Sequence, residues 1–452
     1  MQIYDTLDKK LKDLNSNKTL NIYICGITPY SESHIGHAMS AVIFDTLRRY
    51  LLSQDYKLKF VQNFTDIDDK LINAAKEKNT TIDKISNKYI SQHLNSLNKL
   101  NVMPADHAPK ATEEIKGMIN MIEALISKEM AYEINGDCYF RVNKFETYGK
   151  LSKRNTDEML AGARIDINEN KEHPMDFALW KKQINDEPGW ESHWGNGRPG
   201  WHIECSAMSM KYLGQNLDIH GGGRDLIFPH HENEIAQSEG FSDNPPFSNI
   251  WMHNGLINLK SEKMSKSIGN IISIDDLLKK YSAAAIRMFF ISGNYKNPLE
   301  YDDAILTSNE KAINRLKQTL NLSSSDSLDE LNPDKFINKF NQSMSKDLNT
   351  SLALGSIFEM SRSINQSFNK NINISKSQLA LAKLLNILGI DTDSENETNN
   401  NLDTKEIEDL INLRNKHRLD KDYKKADEIR DKLEAMGIAI YDSDDGTKWR
   451  NI

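Results

Sequence analysis

Residues 20–77 carry the pattern that most restricts how this 452-residue chain can fold. The run "LNIYICGI" at 20–27 reads as a buried strand closed by Gly26 and a polar turn, and "HAMSAVIFDTLRRYLL" follows with helical periodicity. "YKLKFVQNFT" reads as a second strand and "DIDDKLINAAKEK" as a helix opening on an acidic cap. Strand, helix, strand, helix at this spacing implies a parallel, doubly wound sheet of Rossmann type.

Two further amphipathic patterns, around 84–100 and 111–130, lead to a hairpin, "AYEINGDCYFRV". The polar stretch from about 145 to 200 has little periodicity and reads as an insertion between two halves of the sheet. From Trp201 the sheet is expected to resume, through "NLDIHGGGRD" to a helix at "FPHHENEIAQ". Beyond residue 300 the patterns become helical and suggest a bundle. Two low-complexity linkers, "SSSDSLDELNPD" and "DTDSENETNNNLD", flank it, and the last fifty residues form a separate small module.

A chain of this length splits into several domains. The expected division is an α/β domain at 1–118 and 198–248, with a connective insertion at 119–197. A further region at 249–305, a helical bundle at 306–400 and a C-terminal module at 401–452 follow. The net charge of −8 argues against wholesale nucleic-acid coating but leaves room for a local basic face. No stretch has signal-peptide or membrane-spanning length. The three cysteines, Cys25, Cys138 and Cys205, are too sparse for a disulfide framework and point to a reducing cytoplasm.

Three short stretches carry chemistry. In "SHIGHA" at 33–38, Gly36 lets a nucleotide approach the backbone, the helix N-terminus favours phosphate, and His34 and His37 can donate to phosphate oxygens. In "KMSKS" at 263–267, Lys263 and Lys266 can place ammonium groups on a polyphosphate. In "FPHHENEIAQ", Pro229 suits the first position of a helix, so His230 and Glu234 share one face while His231 and Glu232 point elsewhere. A metal site, a proton relay and an exposed helical pair all remain open for that pair.

Taken together and in this order, the first two motifs resemble the signature pair of class I aminoacyl-tRNA synthetases. "TDIDDK", "GARID", "PMDFALWK", "GRPGWHIECSAM", "DIHGGGRDLIFPHHENEIAQ" and "WMHNG" resemble cysteinyl-tRNA synthetase, almost end to end. The resemblance implies one Zn2+ per chain at the base of the amino-acid pocket, held by Cys25, Cys205, His230 and Glu234. The two cysteines lie at the ends of predicted strand segments, and this donor set suits zinc. Cys138 has no such partners and is expected to be a structural or free thiol. The metal would select substrate: shape alone rejects a hydroxyl isostere only about 10²-fold, whereas zinc prefers sulfur.

Further implications are phosphate contacts from His34, His37 and Lys266, with Lys263 supporting the loop. Asp225, after the "GGG" turn, would hold the ATP ribose, and Thr65, Trp201 and His220 would line the cysteine pocket. The reaction implied is activation of L-cysteine by ATP with Mg2+, then transfer to the 3′-terminal adenosine of tRNA(Cys), by a cytoplasmic monomer. The sequence departs from the common family pattern at Met39, where many members carry arginine, and at "PYSES". Rival readings are a mycothiol-pathway cysteine:amino-sugar ligase and a non-catalytic tRNA-binding paralog. Against the first stands the tail, "RNKHRLDKDYKKADEIRDKLEAMGIAIYDSDDGTKWRNI"; against the second, the intact phosphate motifs.

Overall fold

In the computed structural model the expected strand–helix alternation is realised along the chain. The structure describes residues 1–452 apart from 155–170, 186, 260–261, 264–271, 393–403, 421, 436–437, 444–445 and 452. It divides into two compact units, Met1–Thr392 and Asp393–Ile452.

A hairpin of β1 (Gln2–Asp5) and β2 (Lys10–Asp13) opens the first unit. β3 (Leu20–Ile27), the helix Ile35–Ser53 and β4 (Leu58–Phe64) follow, with β3 and β4 paired in parallel. The helix Asp69–Glu77 is capped by the Asp68 side chain, and the helices Ile82–Lys99 and Ile115–Ser127 come next. β5 (Ala131–Ile134) and β6 (Asp137–Phe140) form the expected hairpin. β7 (Phe177–Lys182) and β8 (Gly197–Pro199) extend it into an antiparallel sheet of order β5-β6-β7-β8. The stretch read as aperiodic therefore holds two strands. β7 pairs with β6, far upstream in the chain, and β8 with β7, so local periodicity carries little record of either.

β9 (Leu217–Gly223) and β10 (Ser248–Asn254) complete the main sheet, in order β10-β9-β3-β4 and parallel throughout. β11 (Ile257–Leu259), β12 (Glu262–Lys263) and β13 (Leu299–Tyr301) make a small third sheet. Successive residues of a strand face opposite ways, and the two faces of the main sheet bury different cores. Ile22 and Ile24 of β3 join a cluster with Phe44, Leu47 and Phe289, whereas Tyr23 joins Val61, Ile203 and Trp251 on the other side. Both faces are covered, as a parallel sheet requires.

Two sequence readings are corrected here. Trp201 does not resume the sheet; Trp201–Leu213 is a helix, so Cys205 sits on a helix rather than at a strand end. This helix buries Ile203, Glu204, Cys205, Ser206 and Met208 in succession. A helix enclosed on most sides lacks the apolar stripe that sequence reading looks for. Nor is "GGG" a turn: Gly221, Gly222 and Gly223 end strand β9. A Cβ on Gly221 would stand 2.6 Å from the Phe44 ring, so close packing rather than chain reversal selects glycine there.

The bundle helices Asp303–Leu320, Asp334–Ser345, Thr350–Phe368 and Ser375–Ile387 share the first core through Phe336, Phe340, Ile357 and Leu384. Arg287 ties this region to the helix Ile35–Ser53. Its buried guanidinium donates to Asp45 Oδ2 at 2.6 Å and to the carbonyls of Leu100 (2.9 Å) and Leu388 (3.0 Å). Gly389, at φ +69°, leaves room for it; a Cβ there would lie 2.1 Å from Nη2. The second unit packs two helices, Thr404–Leu419 and Tyr423–Ala435, with a hairpin of β14 (Ile438–Ser443) and β15 (Gly446–Asn451), around Ile411, Leu433 and Ile438. Arg414, on the first of these helices, is buried.

Breaking a buried ion pair by removing one partner leaves an uncompensated charge. Arg287→Ala is therefore expected to lower unfolding stability by about 3–5 kcal/mol, measured by urea denaturation against an exposed control such as Lys311→Ala.

Candidate active site and metal centre

In an open parallel sheet, ligands bind beyond the carboxyl ends of the strands where the strand order reverses. Here that point lies between β3 and β9, since β4 follows on one side and β10 on the other. A cavity of about 360 Å³ opens there. Its lining includes Cys25, Gly26, His34, Gly36, His37, Trp201, Gly223 and Asp225. Gly26 is required by close approach, because a Cβ would fall 1.6 Å from the carbonyl oxygen of Asn63 on β4.

One end of the cavity is the start of the helix Ile35–Ser53. His34 is its N-cap, accepting at Nδ1 from Gly36 N–H (3.2 Å), and His37 Nδ1 accepts from His34 N–H (3.3 Å). The rings stack with centroids 3.7 Å apart. With both Nδ1 atoms acting as acceptors, each neutral ring carries its proton on Nε2 and can donate from there. Backbone N–H groups of the same turn add a positive end suited to phosphate. Of the second motif, Lys263 ends β12, paired with Asn258, and Lys266 lies outside the described residues.

The other end is a cluster that four elements bring together. Cys25 comes from β3, Cys205 from the helix Trp201–Leu213, and His230 from the irregular turn Ile227–His231. Glu234 comes from the helix Glu232–Ser242. Cys205, His230 and Glu234 are buried, and Cys25 is partly exposed. The sulfurs stand 3.7 Å apart, Cys25 Sγ is 3.6 Å from Glu234 Oε1, and His230 Nε2 is 3.1 Å from the same oxygen. A tetrahedral site with bonds of about 2.3 Å to sulfur and 2.0–2.1 Å to nitrogen and oxygen has edges of roughly 3.8, 3.6 and 3.3 Å for these pairs. The donor set therefore fits a four-coordinate metal in both chemistry and spacing.

Electrostatics agree. Burial opposes the charge on Glu234, but His220 and His230 outweigh it and hold the carboxylate ionised. The hydrogen bond from Cys25 draws the Cys205 thiol down to about 6, while burial pushes the Cys25 thiol up. Burial also opposes protonation of His230, yet Glu234 and Cys205 carry it up to about 10. A buried cation is thus demanded by the anionic groups around it.

The pair His230/Glu234 is not the exposed helical pair that sequence alone left open. His231 does not point elsewhere either. Its Nε2 lies 3.3 Å from Cys25 Sγ and its Nδ1 2.8 Å from His253 Nε2. Only Phe228 is non-helical here (φ −140°, ψ 131°); from Pro229 the backbone is helical, so His231, three before Glu234, shares the face of that residue as His230 does. Cys25, His220, His231 and Glu234 form an alternative group of donors. With one sulfur only, and with His220 Nε2 already on Glu234 Oε2 at 2.8 Å, it is the poorer cage.

Of the expected pocket residues, Trp201 lines the cavity and stacks on His230, centroids 4.2 Å apart. Thr65 and His220 are buried behind the wall: Asn63 Nδ2 donates to Thr65 Oγ1 (3.3 Å), and His220 orients Glu234. Asp225 reaches the cavity from the short turn Arg224–Leu226. Cys138 lies buried in β6, away from the cluster. Sequence reading missed Asn63, whose Oδ1 accepts from Gly26 N–H at 2.9 Å, and His253, which supports His231. Nothing in the spacing of either residue signals these roles.

Residues 11–311 match the family described as the class I (C) tRNA synthetase catalytic domain. Residues 339–392 match the DALR domain, and 404–450 the cysteinyl-tRNA ligase anticodon binding domain. A protein named cysteine–tRNA ligase from Dehalococcoides mccartyi is 48% identical over 455 residues, covering 100% of this chain and 99% of the relative. The chain belongs to the cysteinyl-tRNA synthetase family. A second member, cysteine–tRNA ligase from Geobacter metallireducens, is 43% identical over 482 residues, covering 100% of this chain and 99% of its own. The family fold extends to distant synthetases. Mycobacterium tuberculosis methionyl-tRNA synthetase, solved with methionyl-adenylate, superposes with a TM-score of 0.60 at 14% identity, over 82% of this chain and 89% of that one.

His93, on the cavity wall, gives a pH prediction. It is 3% exposed, near Ser33 Oγ (2.9 Å), and burial holds its pKa down at about 4. The unfolded imidazole titrates near 6.5, so the unfolded chain takes up the proton first as pH falls. Stability from the neutral ring is complete above that pH and is lost between roughly 6.5 and 4, by about 3 kcal/mol at most. His93→Gln should lose correspondingly less stability than the parent between pH 7.5 and 4.5 in urea unfolding. Equal losses would contradict the assignment.

Proposed function

We infer that this family member ligates cysteine to tRNA(Cys) in two transfers. The observation carrying this is the Cys25/Cys205/His230/Glu234 cage, at one end of a cavity whose other end is the His34–His37 helix start. In the first transfer the cysteine carboxylate attacks the α-phosphorus of ATP and pyrophosphate leaves. In the second, the terminal ribose hydroxyl of tRNA attacks the carbonyl carbon of cysteinyl-adenylate. The new ester C–O bond forms as the anhydride bond breaks, and AMP and the hydroxyl proton depart.

The cavity supplies positioning and charge stabilisation for these steps. His34 and His37 donate from Nε2 to the phosphates, Gly36 lets them approach, and Lys266, aided by Lys263, neutralises the departing pyrophosphate together with Mg2+. Asp225 accepts from the ATP ribose. Trp201 covers the amino acid, while Thr65 and His220 position the groups around it from behind. The cage is assigned to one zinc ion held by Cys25, Cys205, His230 and Glu234. When bound, it supplies a borderline-soft Lewis acid that separates a thiol from a hydroxyl.

The assigned domain division is catalytic at 1–118 and 198–248, connective at 119–197 and stem-contacting at 249–305. A bundle at 306–400 and an anticodon-binding module at 401–452 follow. That tail favours tRNA over an amino sugar as acceptor. The sparse cysteines suit a reducing cytoplasm, and a monomer is what the family resemblance implies; no helix of the described residues is long and apolar enough to cross a membrane.

Charging of tRNA with labelled cysteine tests the acceptor. Cysteine passed to an amino sugar but not to tRNA would overturn the reading. Elemental analysis should find one zinc per chain in protein purified without added metal, and Cys205→Ala should purify largely without it. Lys266→Ala should reduce cysteine-dependent ATP–pyrophosphate exchange by about 10²-fold or more, the scale of a lost charge-stabilising donor, with the unfolding midpoint unchanged.

A further inference from the structure

The helix Ile82–Lys99 contributes one residue, His93, to the wall of the cavity. Its imidazole stands edge-on to His37, with centroids 6.5 Å apart, and to Phe64 at 6.4 Å. Its Nδ1 lies 2.9 Å from Ser33 Oγ. Ser33 closes "PYSES", one of the two places where the sequence departs from the common family pattern. It also immediately precedes His34, the cap of the helix Ile35–Ser53. Neither signature motif contains His93.

We propose that His93 is a positioning residue for ATP: through Ser33 it fixes the turn that presents His34 and His37 to the phosphates. The inference rests on the ligase reading and goes beyond it, by naming a residue outside both motifs that sets the phosphate end. Three observations carry it. First, Ser33 is held through side chain and main chain together. Its hydroxyl meets His93, while its carbonyl accepts from Ile274 N–H at 3.3 Å. Next to it, His34 and Ser273 face one another as an antiparallel bridge, and Ile35 N–H donates to the Ile272 carbonyl at 3.1 Å. Residues 272–274 follow "KMSKS" closely in the chain. The entry to the first motif and the exit from the second are therefore one paired unit.

Second, the helix that carries His93 grips that unit at another point. Ser96, which follows His93 by three residues, shares its hydroxyl proton between the Gln92 carbonyl and Asp275 Oδ1, each at 2.9 Å. Asp275 lies in the first turn of the helix Ile274–Lys280. One face of the helix Ile82–Lys99 thus holds Ser33 on one side of the pairing and Asp275 on the other. Third, charge. Burial keeps the His93 ring neutral, with its pKa down at about 4, so it brings no charge to a polyphosphate. What it supplies is a fixed hydrogen-bond partner for Ser33. Donors such as His34 and His37 act through their placement, and small displacements of such groups are costly.

The test is cysteine-dependent ATP–pyrophosphate exchange on the full-length, metal-containing protein, read separately as kcat/KM for ATP and KM for cysteine. His93→Phe keeps a ring beside His37 and Phe64 but loses the bond to Ser33. Its kcat/KM for ATP should fall about tenfold, the upper order for one neutral hydrogen bond, while KM for cysteine stays within about twofold. Ser33→Ala, a smaller change, should give the same loss. The double variant should lose no more than either single one, as for two residues acting through one contact. His93→Asn, whose amide can take the place of Nδ1, should recover most of the loss. Unchanged kcat/KM for ATP in His93→Phe and Ser33→Ala, losses that multiply in the double variant, or an asparagine variant as poor as the phenylalanine one overturns the proposal. A parallel rise in KM for cysteine also overturns it, since that marks general loosening of the cavity. A parent protein with no cysteine-dependent exchange would instead overturn the ligase reading, so the two failures are distinct.

Discussion

The carboxylate of Glu234 is the point on which the site depends. It is fully buried, and it is held ionised by His220 on one oxygen and His230 on the other. Burying an isolated carboxylate is prohibitive, so a charged one must be surrounded by donors or a cation. Meeting that demand draws four elements to a single point: the end of β3 with Cys25, the helix carrying Cys205, β9 with His220, and the irregular turn with His230. The strands of a doubly wound sheet diverge there, and a cavity opens between them. The same constraint that closes the donor cluster therefore fixes one end of the cavity, where we propose that the amino acid sits.

Small residues make the approach of these elements possible. Gly26 lets β3 come against the Asn63 carbonyl, and Asn63 in turn holds the Gly26 N–H, so the strand end bearing Cys25 is locked on both sides. Gly221 admits the Phe44 ring and Gly222 the side chains of Leu226 and His231. Phe44 lies on the helix that starts at His34, so the strand ending near the metal cage and the helix presenting the phosphate end pack directly on one another. Arg287 fixes the middle of that helix to the bundle through Asp45. The helix start thus rests on the first core and the Cys25–Cys205 end of the cavity on the second, on opposite faces of the sheet.

Much of this was legible in the sequence because two signals coincide. Cys25 and Cys205 stand out among three cysteines, and His230 and Glu234 stand four apart, a spacing that survives because backbone from Pro229 onward is close to helical. The alternation of β3, helix and β4 was equally plain. What failed did so for physical reasons. The helix bearing Cys205 is enclosed and carries no amphipathic stripe. The glycines of β9 answer to packing rather than turning. His231 was misplaced because a residue three before Glu234 shares its helical face as well as one four before. β7 pairs with β6, distant in sequence, and β8 joins only through β7, while Asn63 and His253 act through contacts that only tertiary structure creates.

Selection of a thiol over a hydroxyl by the metal cage is the central claim, and one comparison tests it most directly. Cysteine- and serine-dependent ATP–pyrophosphate exchange would be measured on the metal-containing protein, on protein stripped by a chelator, and on stripped protein given zinc back. Shape alone rejects the isostere by about 10²-fold, so preference for cysteine should fall to that level or below on stripping and return with zinc. Stripped protein that retains its full preference for cysteine would contradict the account.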